Sequence, residues 1–80
     1  MEHDDEVDAR GLLCPLPVLR ARRRLAALPP GAVLRLLTDD PAAVLDVPHF
    51  CADAGHAILE QTSLDATAHA WLIRRAPDGR

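Results

Sequence analysis

Apolar and polar residues change period several times along the chain, and each change marks a predicted element. In "DEVDARG", Val7 and Ala9 alternate with Glu6 and Asp8, a period of two that predicts a half-buried or edge strand ending at Gly11. From Pro15 the spacing becomes three and four. Val18, Ala21, Leu25 and Leu28 form one apolar face of a helix, with Arg20, Arg23 and Arg24 opposite. "LPPG" ends that helix, because proline cannot continue the hydrogen-bond ladder and Gly31 permits the turn. "AVLRLLT", Ala32 to Thr38, is dense in branched apolar residues and predicts a strand. "DDP" then reads as an aspartate cap with proline at the first helical position, starting a second helix from Pro41 to Ala54 that ends near Gly55. Its inward stripe is Val44, Val47, Cys51 and Ala54. Pro48 lies inside it and predicts a kink or restart, with Asp46 capping the second segment. "AILEQTS" and "AHAWLIRR" predict two more strands around a turn at Leu64–Ala66, and Ala76 to Arg80 a loose tail.

The order β-α-β-α-β-β implies a parallel pair joined by a right-handed crossover, followed by an antiparallel hairpin. Two helices can cover only one face of four strands, so the fold class is an α/β two-layer sandwich with a four-stranded mixed sheet and both helices on one face. In the last strand Trp71 alternates with His69 and Ile73, while Ala70 and Leu72 take the other side. Either set can meet the helices; if Trp71 lay on the open face, it would be a candidate interface anchor. No repeat or linker interrupts the 80 residues, which read as a single domain, 1–80, with an ordered core over about 7–75 and flexible ends.

A composition of 49% apolar and 26% charged residues is that of an ordinary globular chain. The net charge of −3 argues against nucleic acid as the main ligand, since phosphate binding wants a basic surface. No apolar run approaches the ~20 residues needed to span a membrane. The acidic start, Glu2 to Asp8, reads as a solvated end and lacks the basic and apolar segments of a signal peptide. Two cysteines make no disulfide framework, so the expected location is a reducing cytoplasm with both thiols free.

The candidate chemistry is at Cys14. With Pro15 as the first helical residue, Cys14 becomes the N-cap, and Pro15 and Pro17 occupy positions whose N–H groups have no helical partner. The two prolines thus fix the helix start without loss and leave the N–H groups of Leu16 and Val18 as nearby donors. The positive end of the helix dipole favours thiolate over thiol, with Arg10 and Arg20 as further sources of positive potential. A thiolate is a nucleophile, and as a persulfide it carries a terminal sulfur atom. A lone cysteine is also often just a small buried hydrophobe.

The wider context is more specific than the Cys-Pro pair. "DARGLLCPLPVLRARRRL", "PPGAVLRLLTDDPAAVLDVPHFC" and "WLIRR" together resemble the TusA/SirA family of sulfur-carrier proteins, from about Val7 to Arg75. The most specific parts are Cys-Pro-X-Pro at Cys14–Pro17 and the stretch Asp39–Cys51. The resemblance implies a sheet order of 1-2-4-3 with the last strand antiparallel to the others. It also implies a sulfur relay without a cofactor, in which Cys14 accepts sulfane sulfur as a persulfide in a sulfurtransferase-type transpersulfidation. The implied donor is a cysteine desulfurase or a rhodanese. The implied acceptor is the next protein of a relay that leads to 2-thiouridine in tRNA or to sulfur oxidation. Where many members carry glutamate at the X position, this chain has Leu16, an apolar residue beside the thiol that bears on partner choice.

The remaining candidates have plainer readings. Cys51 falls on the inward stripe of its helix and reads as a packed core thiol, with a Cys14–Cys51 redox pair as the rival. Asp39 and Asp40 read as turn and cap residues in a loop that the family places near the thiol, where a negative charge opposes ionisation. His49, Cys51 and His56 match no zinc spacing, so no metal is expected. The arginine face of the first helix is either plain solvated surface or a docking face for an acidic partner. A non-catalytic module that binds a partner through this face is the alternative to a carrier, and it would tolerate serine at position 14.

Overall fold

The structure, a computed structural model, describes residues 2–77. Its elements are β1 (Asp5–Asp8), α1 (Leu16–Ala27), β2 (Val33–Thr38), α2 (Ala43–Ala54), β3 (Ala57–Ser63) and β4 (His69–Arg74). The strands form one sheet in the order β1-β2-β4-β3. β1 and β2 are parallel, with Val7 opposite Leu36, and β4 runs antiparallel to both β2 and β3. This is the mixed sheet expected from the order of elements, with the strand order that the resemblance implies. The parallel pairing matters most for function, because it brings the loops after β1 and after β2 out at the same end of the sheet.

One face of the sheet carries the core. Val7, Ala9, Leu34, Leu36, Trp71 and Ile73 meet Ala21 and Leu25 of α1 and Ala43, Val47 and Cys51 of α2. Trp71 belongs to this helix-covered set and is 1% exposed, so it is no interface anchor. Its indole N–H needs a partner once buried, and it donates to the Thr38 hydroxyl at 3.0 Å. That bond fixes the end of β2, just before Asp39 and Asp40.

Four local expectations are corrected. α2 is one continuous helix from Ala43 with Pro48 inside it and no restart at Asp46, and its N-cap, Ala42, makes no side-chain capping bond. Pro48 has no N–H for the Val44 carbonyl, yet tertiary packing of Val47 and Cys51 keeps the segment in register. The inward stripe uses Ala43, 1% exposed, in place of Val44, 42% exposed. Ala76 is not a loose residue: it is buried, and its N–H donates to His56 Nδ1 at 2.9 Å. The rest of the expected tail, 78–80, lies outside the described residues. The acidic start is more than a solvated end, since Asp4 accepts the Val33 N–H and Asp5 and Glu6 pair with Arg24 and Arg35.

Candidate functional site

The loop from Ala9 to Pro15 carries Cys14 out of β1 and into α1. Gly11 takes a positive φ of 85° that favours glycine, and its N–H donates to Asp39 Oδ1 at 2.9 Å. The Cys14 N–H donates to Asp40 Oδ2 at 2.8 Å. Two adjacent carboxylates at the end of β2 therefore hold the cysteine loop. Asp40 is 8% exposed, so its bond to Cys14 is largely shielded from water. Asp39 and Asp40 do not cap α2 through their side chains; only a long contact from the Ala42 N–H to Asp40 Oδ1, 3.4 Å, serves the turn.

Cys14 is exposed and Cys51 is buried, and both are free thiols. The helix begins one residue later than expected: Pro15 is the N-cap of α1, and Leu16 and Pro17 follow. The Leu16 N–H, expected to be a free donor beside the thiol, instead donates to the Leu13 carbonyl at 2.9 Å. What lies next to the sulfur is acidic. Cys14 Sγ and oxygens of Asp40 and Asp46 all lie within 4.8 Å of one another. The Asp46 carboxylate favours the protonated thiol by hydrogen bonding and raises its pKa above the ordinary thiol value, with smaller contributions from desolvation and from the charges of Asp46 and Asp40. This reverses the expectation of a thiolate favoured by the helix start.

Neither arginine assigned to the thiol supplies the opposing charge. Arg10 grips Asp8 through Nε at 2.9 Å and Nη2 at 2.8 Å, and the other charges that act on it are Asp39 and Asp65. Arg10 in turn holds the Asp8 carboxyl down at about 2. Arg24 is bound to Asp5 at 2.8 Å and ties α1 to β1, so it is not part of a free docking face. Arg20, Arg22 and Arg23 are exposed and have no carboxylate partner among the described residues. They border a shallow groove of about 560 Å³ along α1 with Leu16, Leu19 and Ala26. Leu13, Val44 and Leu45 are also exposed, at 69%, 42% and 76%, so apolar surface frames the thiol at both helix starts.

Cys51, the rival redox partner, is packed in the core. It lies five residues beyond Asp46 on α2, roughly 7.5 Å along the axis, and burial pushes its thiol up to about 11. His56 packs against Phe50 at 5.5 Å and accepts the Ala76 N–H; His49, Cys51 and His56 form no ligand cluster among the described residues. Cys14, Asp40 and Asp46 do bring three ligand-type groups together, and Asp40 also accepts N–H groups from Cys14 and Ala42. Asp46 is the residue that the sequence reading missed, having been assigned to a helix restart. The available signal was topological: parallel β1 and β2 put Cys14 and the Asp39–Asp46 stretch at the same sheet end.

With that geometry in view, comparison with known proteins is specific. The family described as Sulfurtransferase TusA matches residues 5–75. The sulfur carrier protein TusA of Allochromatium vinosum is 37% identical over 75 residues, covering 94% of this chain and 97% of its own. That of Pseudomonas entomophila is 36% identical over 74 residues, covering 92% of each. The crystal structure of a SirA-like protein from Desulfitobacterium hafniense superposes with a TM-score of 0.80 at 27% identity, covering 91% of this chain and 99% of that one.

Proposed function

The chain belongs to the TusA family of sulfur carriers, and from that premise we propose that Cys14 is the residue on which it carries sulfur. It acts as a sulfur-relay carrier. The Cys14 sulfur attacks the terminal sulfur of a donor persulfide, a new Sγ–S bond forms, and the donor's S–S bond breaks. The electron pair leaves with the donor sulfur, which takes up the proton that Cys14 gives away. Nothing is oxidised overall, and unloading to an acceptor thiol is the same exchange in reverse. No cofactor enters this balance.

The observation that carries the assignment is the contrast in access. Of the two thiols, only Cys14 is exposed, and it stands on a loop that α1, β2 and α2 all brace. Pro15 and Pro17 fix the start of α1 behind it.

Family carriers pass sulfur between proteins, and we assign the donor here to a cysteine desulfurase or a rhodanese and the acceptor to the next protein of the relay. The product is 2-thiouridine in tRNA or an oxidised sulfur species, without direct binding of nucleic acid. A reducing cytoplasm suits persulfide exchange, and no helix among the described residues is long and apolar enough to cross a membrane. The partner face is the groove of Leu16, Leu19, Arg20, Arg22 and Arg23 together with exposed Leu13. Leu16, beside the thiol, bears on which partner fits, whereas Arg10 and Arg24 hold the carrier's own structure.

The test is loading by a desulfurase with cysteine, read by intact mass and peptide mapping. Wild type should gain one sulfur on Cys14, Cys14→Ser none, and Cys51→Ser as much as wild type. Rhodanese and polysulfide serve as the alternative donors. Loading that survives Cys14→Ser and disappears with Cys51→Ser overturns the assignment.

A further inference from the structure

A sulfur nucleophile within 4.8 Å of two carboxylates, those of Asp40 and Asp46, is an unusual arrangement for a group that must ionise in order to react. The charged groups around it come from every neighbouring element. The β2–α2 loop brings Asp39, engaged with the Gly11 N–H, and Asp40, engaged with the Cys14 N–H. α2 brings Asp46, with exposed His49 one turn further on. The β1–α1 loop brings Arg10, which is bound to Asp8. Arg20, on α1, is exposed, and the turn after β3 brings Asp65, near Arg10. The charges that act on the sulfur itself are those of Asp46 and Asp40. Asp40 is occupied by backbone donors, whereas Asp46 accepts no backbone or other polar side-chain bond among the described residues.

We propose that Asp46 is the specificity-determining residue of the carrier: its carboxylate, beside the Cys14 sulfur, selects reaction partners that bring a cationic group to that sulfur. This rests on Cys14 as the carrier residue and adds the condition under which it reacts. In the free protein Cys14 stays protonated and slow toward small oxidants and electrophiles. A donor that docks with a cation facing Asp46 neutralises the carboxylate, the Cys14 thiolate attacks the donor's terminal sulfur as the donor's S–S bond breaks, and the proton leaving Cys14 ends on the departing donor sulfur. The loaded persulfide, more acidic than a thiol, is anionic beside two carboxylates once the donor leaves. That repulsion favours giving the sulfur away. The partner surface therefore has two signs, acidic opposite Arg20, Arg22 and Arg23 and cationic opposite Asp46.

The test uses alkylation of Cys14, mapped by peptide mass, in wild type, Asp46→Asn and Asp46→Glu. Iodoacetamide rates followed from about pH 6 to about pH 10 give the thiol midpoint; Asp46→Asn should lower it and raise the neutral-pH rate by about threefold or more, one unit of pKa being tenfold. Asp46→Glu should retain the wild-type profile. Cationic bromoethylamine and anionic iodoacetate give the charge preference. Wild type should favour the cation relative to Asp46→Asn, and high salt should erode that preference in wild type without any substitution. An unchanged midpoint in Asp46→Asn, or a wild-type charge preference insensitive to salt, overturns the proposal. Sulfur loading is read separately. Normal loading of Cys14 with unchanged alkylation removes only the role of Asp46, whereas loading that survives Cys14→Ser removes the carrier residue and leaves the alkylation result standing.

Discussion

Two thiols in this small fold are both pushed above the ordinary thiol range, and the causes are different in kind. Cys51, 2% exposed on the inner stripe of α2, is shifted by burial alone, to about 11. Cys14 is exposed, and its ionisation is opposed first by the Asp46 carboxylate, then by desolvation and, more weakly, by the charges of Asp46 and Asp40. A shift due to burial is undone only by opening the protein, because the low-dielectric surroundings are the fold itself. A shift due to neighbouring charge is undone by a counter-charge from outside, with the fold intact. The first makes an inert core residue and the second a residue that a partner can switch on.

The largest effect that could break this comparison is a difference in labelling rate. In the native protein Cys51 reacts only through opening events, so its alkylation should trail that of Cys14 by about a hundredfold or more at neutral pH. In denaturant both the carboxylate cluster and the core are lost, and the two rates should converge. Time-resolved mass mapping with and without guanidinium reads both limits. Comparable native rates would mean that α2 opens locally or that Cys14 is far less available than its exposure indicates.

Asp40→Ala separates the two causes. It removes the acceptor of the Cys14 N–H, and a partly buried donor left without a partner should cost about 1–3 kcal/mol in denaturant unfolding. Cys14 should label faster than in wild type even far below the unfolding transition, because a carboxylate has gone and the loop is freed. Cys51 should speed up only in proportion to the lost global stability. If the two thiols accelerate by the same factor, Asp40 acts on the whole fold and not on the site.

Much of the scaffold was legible in the sequence because its signals are local. "AILEQTS" is the strand Ala57–Ser63 residue for residue, and the spacing of Ala21 and Leu25 marked the buried face of α1. The exposed placement of Cys14 at a helix start followed from the two prolines. Its electrostatics did not, because they depend on residues distant in sequence: the Cys14–Asp40 bond spans 26 positions. "DDP" has the form of a helix cap, but an aspartate can serve only so many donors, and the Gly11 and Cys14 N–H groups of another loop claim these two. Trp71 was ambiguous because Ala70 and Leu72 are as apolar as its own set. A hydroxyl on the adjacent strand, Thr38, is what fixes its side. Pro48 predicted a break because its penalty was read without the Val47 and Cys51 packing on either side of it.

The smallest expected effect defines the pH range in which the thiols can be compared cleanly. His56 is held below its ordinary value of 6.5, first by desolvation and then by Arg75, and its Nδ1 must stay unprotonated to accept the Ala76 N–H. The unfolded chain therefore binds a proton at this residue at a higher pH than the folded one. Stability from this group is complete above about pH 6.5 and falls as pH drops from there through the folded pKa. Because His56 is partly solvated, the loss should be under about 1 kcal/mol. Unfolding free energies between about pH 7.5 and about pH 5.5 should show this slope in wild type and lose it in His56→Asn, whose side-chain oxygen can take the same N–H without titrating. The slope lies wholly on the acid side, whereas the carboxylate effect on Cys14 appears on the alkaline side, above the ordinary range of His56. A Cys14 alkylation midpoint that moved with His56→Asn would tie the two regions together, and the contrast between a core thiol and a switchable one would have to be redrawn.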